Sequence, residues 1–155
     1  MVALRDQTYE PMTRRETPRV LIVEDDPSTL WVLCALMRRL GFDCEGATNG
    51  REALELVGSF DPQAILLDVR LPVLDGLEVT RRLKADARTR GIPVLAVTCD
   101  TSSLLVASAR RAGCAAVLTK PIVVQDLLNR LDRLLEPRPR GFPSKTGLHP
   151  QGPVD

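Results

Sequence analysis

The side chains with the clearest chemical potential in this sequence lie where four apolar, strand-like runs end. In chain order they are Glu24 and Asp25, Asp68, Thr98, and Lys120. In an open parallel sheet, ligands bind outside the carboxyl ends of the strands. Folding is therefore expected to bring three carboxylates, a hydroxyl and one ammonium to the same edge of a sheet.

This set of groups is suited to phosphoryl transfer. Clustered carboxylates repel one another, and a hard divalent cation with oxygen ligands, typically Mg²⁺, relieves that repulsion. A carboxylate at such a cation can attack a phosphoryl group and become an acyl phosphate. The transferred oxygens need counter-charge and hydrogen bonds, which Lys120 and Thr98 can supply. Asp68, the lone carboxylate that closes a buried strand, can act as such a nucleophile or hold the cation.

Strand and helix patterns alternate through the middle of the chain. Predicted strands cover 19–24, 43–47, 63–67, 93–98 and 115–118, and predicted helices cover about 27–40, 51–58, 76–86, 101–112 and 123–135. Pro27 suits a first helical turn with Asp26 as its cap, and Gly41 and Gly113 end two helices. The alternation predicts an α/β fold with a parallel sheet and helices on both faces.

The two ends of the chain differ from the middle in composition. Residues 1–17 are polar and aperiodic, and we predict a flexible arm. Residues 137–155 hold five of the twelve prolines, and we predict a disordered tail because little apolar area is available to offset ordering. The folded domain is predicted to span 18–136, with no second folded domain after it.

Composition argues against several classes of function. The net charge of +1 does not indicate nucleic-acid binding. The sequence has neither a long apolar span nor a signal-peptide core, so we expect a cytoplasmic protein without membrane contact. Four cysteines without C-x-x-C spacing argue against disulfide or metal–thiolate sites, and we expect reduced thiols that act as small apolar side chains.

The candidate residues, taken with their neighbours, closely resemble the receiver (CheY-like) domain of two-component response regulators. The resemblance covers about residues 18–136, and its pieces occur in the family's order and spacing. They are VLIVEDD at 20–26, ILLDVRLP at 65–72, DG at 75–76, IPVLAVT at 92–98 and LTKP at 118–121. The resemblance implies a flavodoxin-like, doubly wound sheet of five parallel strands in the order 2-1-3-4-5, with five helices.

The resemblance also implies roles for the acidic residues. Asp68 matches the phosphoacceptor, and Glu24 and Asp25 match the acidic pair that positions Mg²⁺. Asp68 itself and the backbone carbonyl of Arg70 complete the implied protein ligands of the ion. The Arg70 side chain is expected at the pocket mouth, where it could influence access of water.

Two further positions match the phosphoryl-binding switch of the family. Thr98 matches the hydroxyl that bonds the phosphoryl group and couples it to the next helix. Lys120 matches the lysine that precedes a cis-proline turn at Pro121. One departure is Val117, where many relatives carry an aromatic residue that swings inward. A valine is too short and too restricted in rotamer for that readout, so any output requires another mechanism or another face.

The first predicted helix holds eight consecutive apolar residues at 30–37. One stripe is predicted to face the core and consists of Val32, Leu33, Leu36 and Leu40. A second line, spaced i, i+4, i+7, is predicted to be exposed and consists of Leu30, Cys34 and Met37. In relatives this outer part of the helix binds histidine kinases and phosphotransfer proteins, so we interpret the second line as a partner-docking line. A chance set of exposed apolar residues is the alternative.

The predicted function is that of a single-domain response regulator. It accepts a phosphoryl group from a histidine kinase or a histidine phosphotransfer protein onto Asp68 and signals to a downstream protein by conformational change. No enzymatic activity is expected beyond its own phosphorylation and dephosphorylation. Two alternatives remain: a degenerate receiver that acts as an interaction scaffold, and a Mg²⁺-dependent hydrolase with an aspartyl-phosphate intermediate. Such hydrolases usually place a second acid near the nucleophile, whereas position 70 is arginine.

Overall fold

The computed structural model describes residues 17–135, in which strands and helices alternate. The strands are β1 (Arg19–Val23), β2 (Asp43–Ala47), β3 (Ala64–Asp68), β4 (Val94–Thr98) and β5 (Ala116–Thr119). The helices are α1 (Pro27–Arg39), α2 (Gly50–Phe60), α3 (Gly76–Ala85), α4 (Ser103–Ala112) and α5 (Val124–Leu135). The predicted flexible arm and disordered tail lie outside the described residues, apart from position 17.

All neighbouring strands are parallel, and their order is β2-β1-β3-β4-β5. This confirms the predicted doubly wound α/β fold. The order reverses between β1 and β3, where Val23 lies opposite Leu67. On the other side of β3, Asp68 lies opposite Val97. The residues that follow these strands therefore meet at one edge, at the switch point where such sheets bind ligands.

The three central strands are buried on both faces. Alternate side chains enter two separate apolar cores, as the two-residue period of a strand requires. One core is closed by α2, α3 and α4, and the other by α1 and α5. No helix between residues 17 and 135 is long and apolar enough to cross a lipid bilayer.

Helix α1 begins where the sequence predicted. Asp26 is its N-cap, and the Asp26 carboxylate accepts hydrogen bonds from the backbone N–H and the hydroxyl of Thr29. Pro27 occupies the first turn, where its missing N–H leaves no hydrogen bond unmade. The cap is thus formed by a different residue from Glu24 and Asp25, whose carboxylates lie at the edge of the sheet.

The predicted faces of α1 are wrong. Cys34 and Met37, assigned to an exposed docking line with Leu30, are core residues with exposures of 6% and 0%. Leu30 is partly buried and packs against the same core. Val32 and Leu40, assigned to the core, are 56% and 39% exposed. Since Cys34 and Met37 face the sheet, the three residues cannot form a partner-docking line.

The error has a physical cause in the helix and in the strand beneath it. Eight consecutive apolar residues leave no polar face to set the phase of the helix, so either stripe could have faced inward. Gly46 of β2 accommodates the observed phase locally. A methyl group at Gly46 would lie 2.8 Å from the Leu30 Cδ1 atom, so Leu30 occupies the space that a side chain would fill. Leu33 and Leu36 of the predicted stripe are partly buried.

Candidate functional site

Three carboxylates converge at the carboxyl edge of the sheet. Glu24 and Asp25 directly follow β1, and Asp68 is the last residue of β3. One oxygen from each of the three carboxylates lies within 4.8 Å of the other two. Glu24 and Asp68 are each 6% exposed, whereas Asp25 is exposed. A set of oxygen ligands this close, with one face open to solvent, fits a hard cation such as Mg²⁺.

Lys120 bridges the two buried carboxylates. Its Nζ atom lies 2.7 Å from Asp68 Oδ2 and 3.2 Å from Glu24 Oε2. Burial raises the pKa of Glu24, as does the neighbouring Asp68, and Lys120 only partly offsets this. Burial works against the Lys120 ammonium, but the hydrogen bonds and charges of Asp68 and Glu24 outweigh it and raise the pKa of Lys120. The lysine thus remains a cation in the site.

The second oxygen of Asp68 is held by the backbone. Asp68 Oδ1 accepts a hydrogen bond of 3.0 Å from the N–H of Arg70, so both carboxylate oxygens have fixed partners. The Arg70 side chain is exposed. It borders an open cavity of about 530 Å³ whose lining also includes Asp25, Asp68, Thr98, Cys99, Asp100 and Lys120.

Thr98 supplies a hydroxyl to this cavity. The residue is 2% exposed and ends β4. Its Oγ1 atom accepts a hydrogen bond of 3.0 Å from the backbone N–H of Asp100, while its carbonyl accepts one of 2.9 Å from the N–H of Lys120. The backbones of Thr98 and Lys120 are therefore held next to each other where β4 and β5 end. The Lys120–Pro121 peptide bond is cis, which confirms the turn that the family resemblance implied.

Gly76 fixes the loop that leaves Asp68. A Cβ atom at this position would overlap the carbonyl oxygen of Asp68 and lie 2.9 Å from the Cα of Val69. The N–H of Gly76 donates a 2.9 Å hydrogen bond to the carbonyl of Val69. Asp75 caps the following helix α3 by accepting hydrogen bonds from two of its backbone N–H groups. The close approach, and not a positive φ, is what requires glycine here.

We expect Gly76→Ala to destabilise the fold by about 1–3 kcal/mol, because backbone atoms must move to admit the methyl group. Urea denaturation of the purified variant measures this change. Gly58→Ala is the matched control, since Gly58 lies in α2 and a Cβ atom added there would meet no tertiary neighbour within 4 Å. That control should instead gain about 0.5–1 kcal/mol from helix propensity. Equal changes in the two variants would contradict the role of Gly76.

The structure brings one group of predicted site residues together and leaves another apart. Those that share the edge of the sheet are Glu24, Asp25, Asp68, Arg70, Thr98 and Lys120. Those on the core side of α1 instead are Leu30, Cys34 and Met37. Sequence reasoning missed Cys99 and Asp100, which also line the cavity. The sequence did contain a signal for these two residues, because they directly follow the strand that ends at Thr98.

Comparison with known proteins gives a consistent result. The sequence model of the response regulator receiver domain matches residues 20–132. The chain is 33% identical over 117 residues to Protein PilH of Pseudomonas aeruginosa, covering 76% of this chain and 97% of that protein. It is 36% identical over 119 residues to the polar-differentiation response regulator DivK of Brucella ovis, covering 77% and 97%.

Solved structures repeat the fold. The chemotaxis protein CheY4 of Vibrio cholerae superposes with a TM-score of 0.73 at 28% identity, over 77% of this chain and 99% of that one. The receiver domain of the sensor histidine kinase PA1611 from Pseudomonas aeruginosa, described with a magnesium ion coordinated in its active-site cleft, gives a TM-score of 0.71 at 32% identity, over 77% and 98%.

The family match covers most of the chain, and its relatives align over almost their full length. The strand order and the position of the acidic residues at the switch point agree with that match. On these grounds the chain belongs to the response regulator receiver domain family.

Proposed function

We propose that this receiver domain takes a phosphoryl group from a phosphohistidine donor onto Asp68 and passes the signal on through protein contacts. One observation carries the proposal. The buried Asp68 carboxylate faces an open cavity, with two further carboxylates and a lysine ammonium within reach. A carboxylate so placed can attack phosphorus, and the neighbouring ammonium can compensate the charge that arrives.

The proposal includes a Mg²⁺ site. Glu24, Asp25 and Asp68 would hold the ion with their side chains, and Arg70 would contribute its backbone carbonyl. The closeness of the three carboxylates supports this, because like charges within 4.8 Å of one another repel. When bound, the ion would neutralise negative charge on the carboxylates and on the phosphoryl oxygens.

Asp68, Lys120 and Thr98 have different roles in the transfer. An Asp68 oxygen forms a bond to phosphorus, the bond from phosphorus to the donor imidazole breaks, and the imidazole leaves with the electron pair. The Lys120 ammonium, 2.7 Å from Asp68 Oδ2, is positioned to pair with a phosphoryl oxygen. The Thr98 hydroxyl lines the same cavity and can donate a hydrogen bond to another.

Contacts beyond Thr98 suggest how the signal leaves the site. Thr98 Oγ1 accepts the N–H of Asp100, Asp100 Oδ1 accepts the N–H of Ser102 at 2.8 Å, and Ser102 caps α4. A shift of the Thr98 hydroxyl toward a phosphoryl oxygen would therefore pull on the start of α4. Val117, partly buried against the core, takes no part in this chain, so the route does not depend on an aromatic side chain.

The proposed partners are a histidine kinase or a histidine phosphotransfer protein as donor, and a downstream protein as target. The protein would act as a phosphoacceptor and not as a turnover enzyme, since the same site only forms and hydrolyses its own acyl phosphate. We also propose a cytoplasmic location, because phosphohistidine donors receive their phosphoryl group from ATP.

The proposal is tested by incubating the full chain with acetyl phosphate and Mg²⁺ and measuring the intact mass. We expect the gain of a single phosphoryl group that is absent when EDTA removes the cation. The adduct should be lost in mild base, as acyl phosphates are. An unchanged mass would favour the scaffold alternative, and a steady release of phosphate from many substrate molecules would favour the hydrolase.

Two single substitutions at adjacent positions distinguish the proposed Mg²⁺ ligand, Asp25, from the helix cap, Asp26. We expect Asp25→Ala to weaken Mg²⁺ binding by at least about tenfold, or about 1.4 kcal/mol, because one carboxylate ligand is lost. The ion-free protein should become slightly more stable, since like-charge repulsion falls. Asp26→Ala should lower the melting temperature by removing the cap of α1 but leave Mg²⁺ affinity unchanged. Calorimetric titration and thermal unfolding measure both, and the opposite pattern would exchange the two roles.

A further inference from the structure

A buried pair of thiols lies on the core side of α1, away from the site at the edge of the sheet. Cys34 of α1 and Cys44 of β2 are 6% and 1% exposed, and their Sγ atoms are 3.0 Å apart. A disulfide bond is about 2.05 Å long, so the two sulfur atoms need to approach by only about 1 Å. Both thiols are free, and the proposed phosphoryl chemistry uses neither.

The backbone around the pair is held in place from three sides. Leu30 packs into the space left by Gly46, which keeps α1 close to the edge strand β2. Arg38 Nη2 donates a 2.7 Å hydrogen bond to the carbonyl of Cys44. The N–H of Phe42 donates a 3.0 Å hydrogen bond to the carbonyl of Met37. The closeness of the sulfur atoms is therefore a consequence of tertiary packing and not of a mobile loop.

From this geometry we propose that Cys34 and Cys44 form an oxidation-sensitive dithiol, which a hydroperoxide converts to a disulfide that joins α1 to β2. The pair is a modification site that is independent of phosphorylation at the sheet edge. The other two cysteines differ from it in the structure. Cys99 is exposed, and Cys114 is buried beside the Thr80 hydroxyl.

The surroundings of the two sulfur atoms give Cys34 and Cys44 different roles in this reaction. The Cys44 thiol donates its hydrogen bond to the Cys34 sulfur, which lowers the pKa of Cys34; burial opposes this shift, and the charge of Arg38 assists it. The same hydrogen bond and burial raise the pKa of Cys44. Cys34 is thus the thiol that ionises first, and the thiolate is the nucleophile in such chemistry.

The reaction balances with one molecule of hydrogen peroxide. The Cys34 thiolate attacks one peroxide oxygen, the O–O bond breaks, and a sulfenic acid and hydroxide form. The Cys44 sulfur then attacks the Cys34 sulfur, the S–O bond breaks, and a second hydroxide leaves. The two hydroxide ions take up the two thiol protons and form two water molecules. The two sulfurs are oxidised, and the two peroxide oxygens are reduced.

The test uses the full chain with Cys99→Ser, so that the exposed thiol cannot form bonds between molecules. Folded protein is treated with hydrogen peroxide, the excess is removed, and the remaining thiols are alkylated in denaturant and counted by mass spectrometry. We expect Cys34 and Cys44 to lose reactivity together and to appear in one cross-linked peptide that dithiothreitol separates. The melting temperature of the oxidised monomer should rise by about 5 °C or more, because the unfolded chain is constrained.

Two variants in the same background provide the controls. Cys44→Ala should remove the cross-link, whereas Cys114→Ala should retain it with the same yield. If Cys44→Ala fails to fold by circular dichroism, Cys34→Ala serves the same purpose. A cross-link that includes Cys114, higher oxidation of Cys34 without a cross-link, or a disulfide that forms only in urea would each overturn the proposal.

Discussion

Asp68→Asn is expected to abolish the gain of a phosphoryl group from acetyl phosphate. An amide cannot form an acyl phosphate, while it keeps the shape of the carboxylate. The Asp68 oxygens accept hydrogen bonds from Lys120 and from the N–H of Arg70, and the amide oxygen can still accept one of them. The fold should therefore survive, and intact mass spectrometry should find no phosphorylated fraction under conditions that modify the wild type.

Asp100→Asn is the matched control for this substitution. Asp100 lines the same cavity but is not one of the three clustered carboxylates. The control should become phosphorylated at a rate near that of the wild type. Equal incorporation into the wild type and Asp68→Asn would remove Asp68 as the acceptor and point to another carboxylate of the site.

Lys120→Met should have the second-largest effect, and it should affect both rate and stability. Removal of a charge that contacts the transferred group is expected to slow phosphorylation about 100-fold. In the ion-free protein it leaves the buried Glu24 and Asp68 without their shared cation. Because the lysine side chain is itself 29% exposed, we expect a loss of about 1–3 kcal/mol at pH 7, less than the roughly 3–5 kcal/mol for breaking a fully buried pair.

The loss of stability in Lys120→Met should depend on pH. Burial already raises the pKa of Glu24 above its ordinary value of 4.5, and removal of Lys120 raises it further. As the pH falls through that raised pKa, Glu24 gains a proton and no longer needs the Lys120 charge. The difference between the unfolding free energies of wild type and variant should therefore shrink. Urea denaturation in EDTA at pH 7 and at lower pH measures this, and a difference that stays constant would contradict the charge argument.

Lys84→Met is the control for Lys120→Met. Lys84 is also partly buried, but its Nζ atom donates hydrogen bonds to the carbonyls of Arg90 and Ile92, outside the candidate site. Its substitution should lower stability without changing the phosphorylation rate. A slower rate in both lysine variants would mean that phosphorylation reports general destabilisation and not a role for Lys120 in the site.

The fold and the edge of the sheet were predictable because several independent signals agree. Apolar runs of strand length alternate with helical patterns, and Asp26 and Gly113 mark helix ends that the structure confirms. Parallel strands then place the residues after each run at one edge, so the meeting of Asp68 with Lys120 follows from topology. Their distances depend on tertiary contacts between strands far apart in sequence, which no local pattern encodes.

The orientation of α1 could not be predicted for a related reason. Its run of apolar residues has no polar face, and periodicity gives the phase of a helix only where polar and apolar residues alternate. The contact between Leu30 and Gly46 joins α1 to β2, so the pattern of the helix alone does not reveal it. The pair of Cys34 and Cys44 was missed with it, since their spacing matches no short cysteine motif and only the packing of α1 on β2 brings them together.

The most direct test of the account is to locate the phosphoryl group on the protein. Wild-type protein phosphorylated by acetyl phosphate with Mg²⁺ is treated with borohydride, which reduces an acyl phosphate to an alcohol, and its peptides are sequenced by mass spectrometry. We expect one reduced residue, at position 68. Reduction at Glu24, Asp25 or Asp100 in place of Asp68, or a phosphoryl group on a hydroxyl or a histidine, would contradict it.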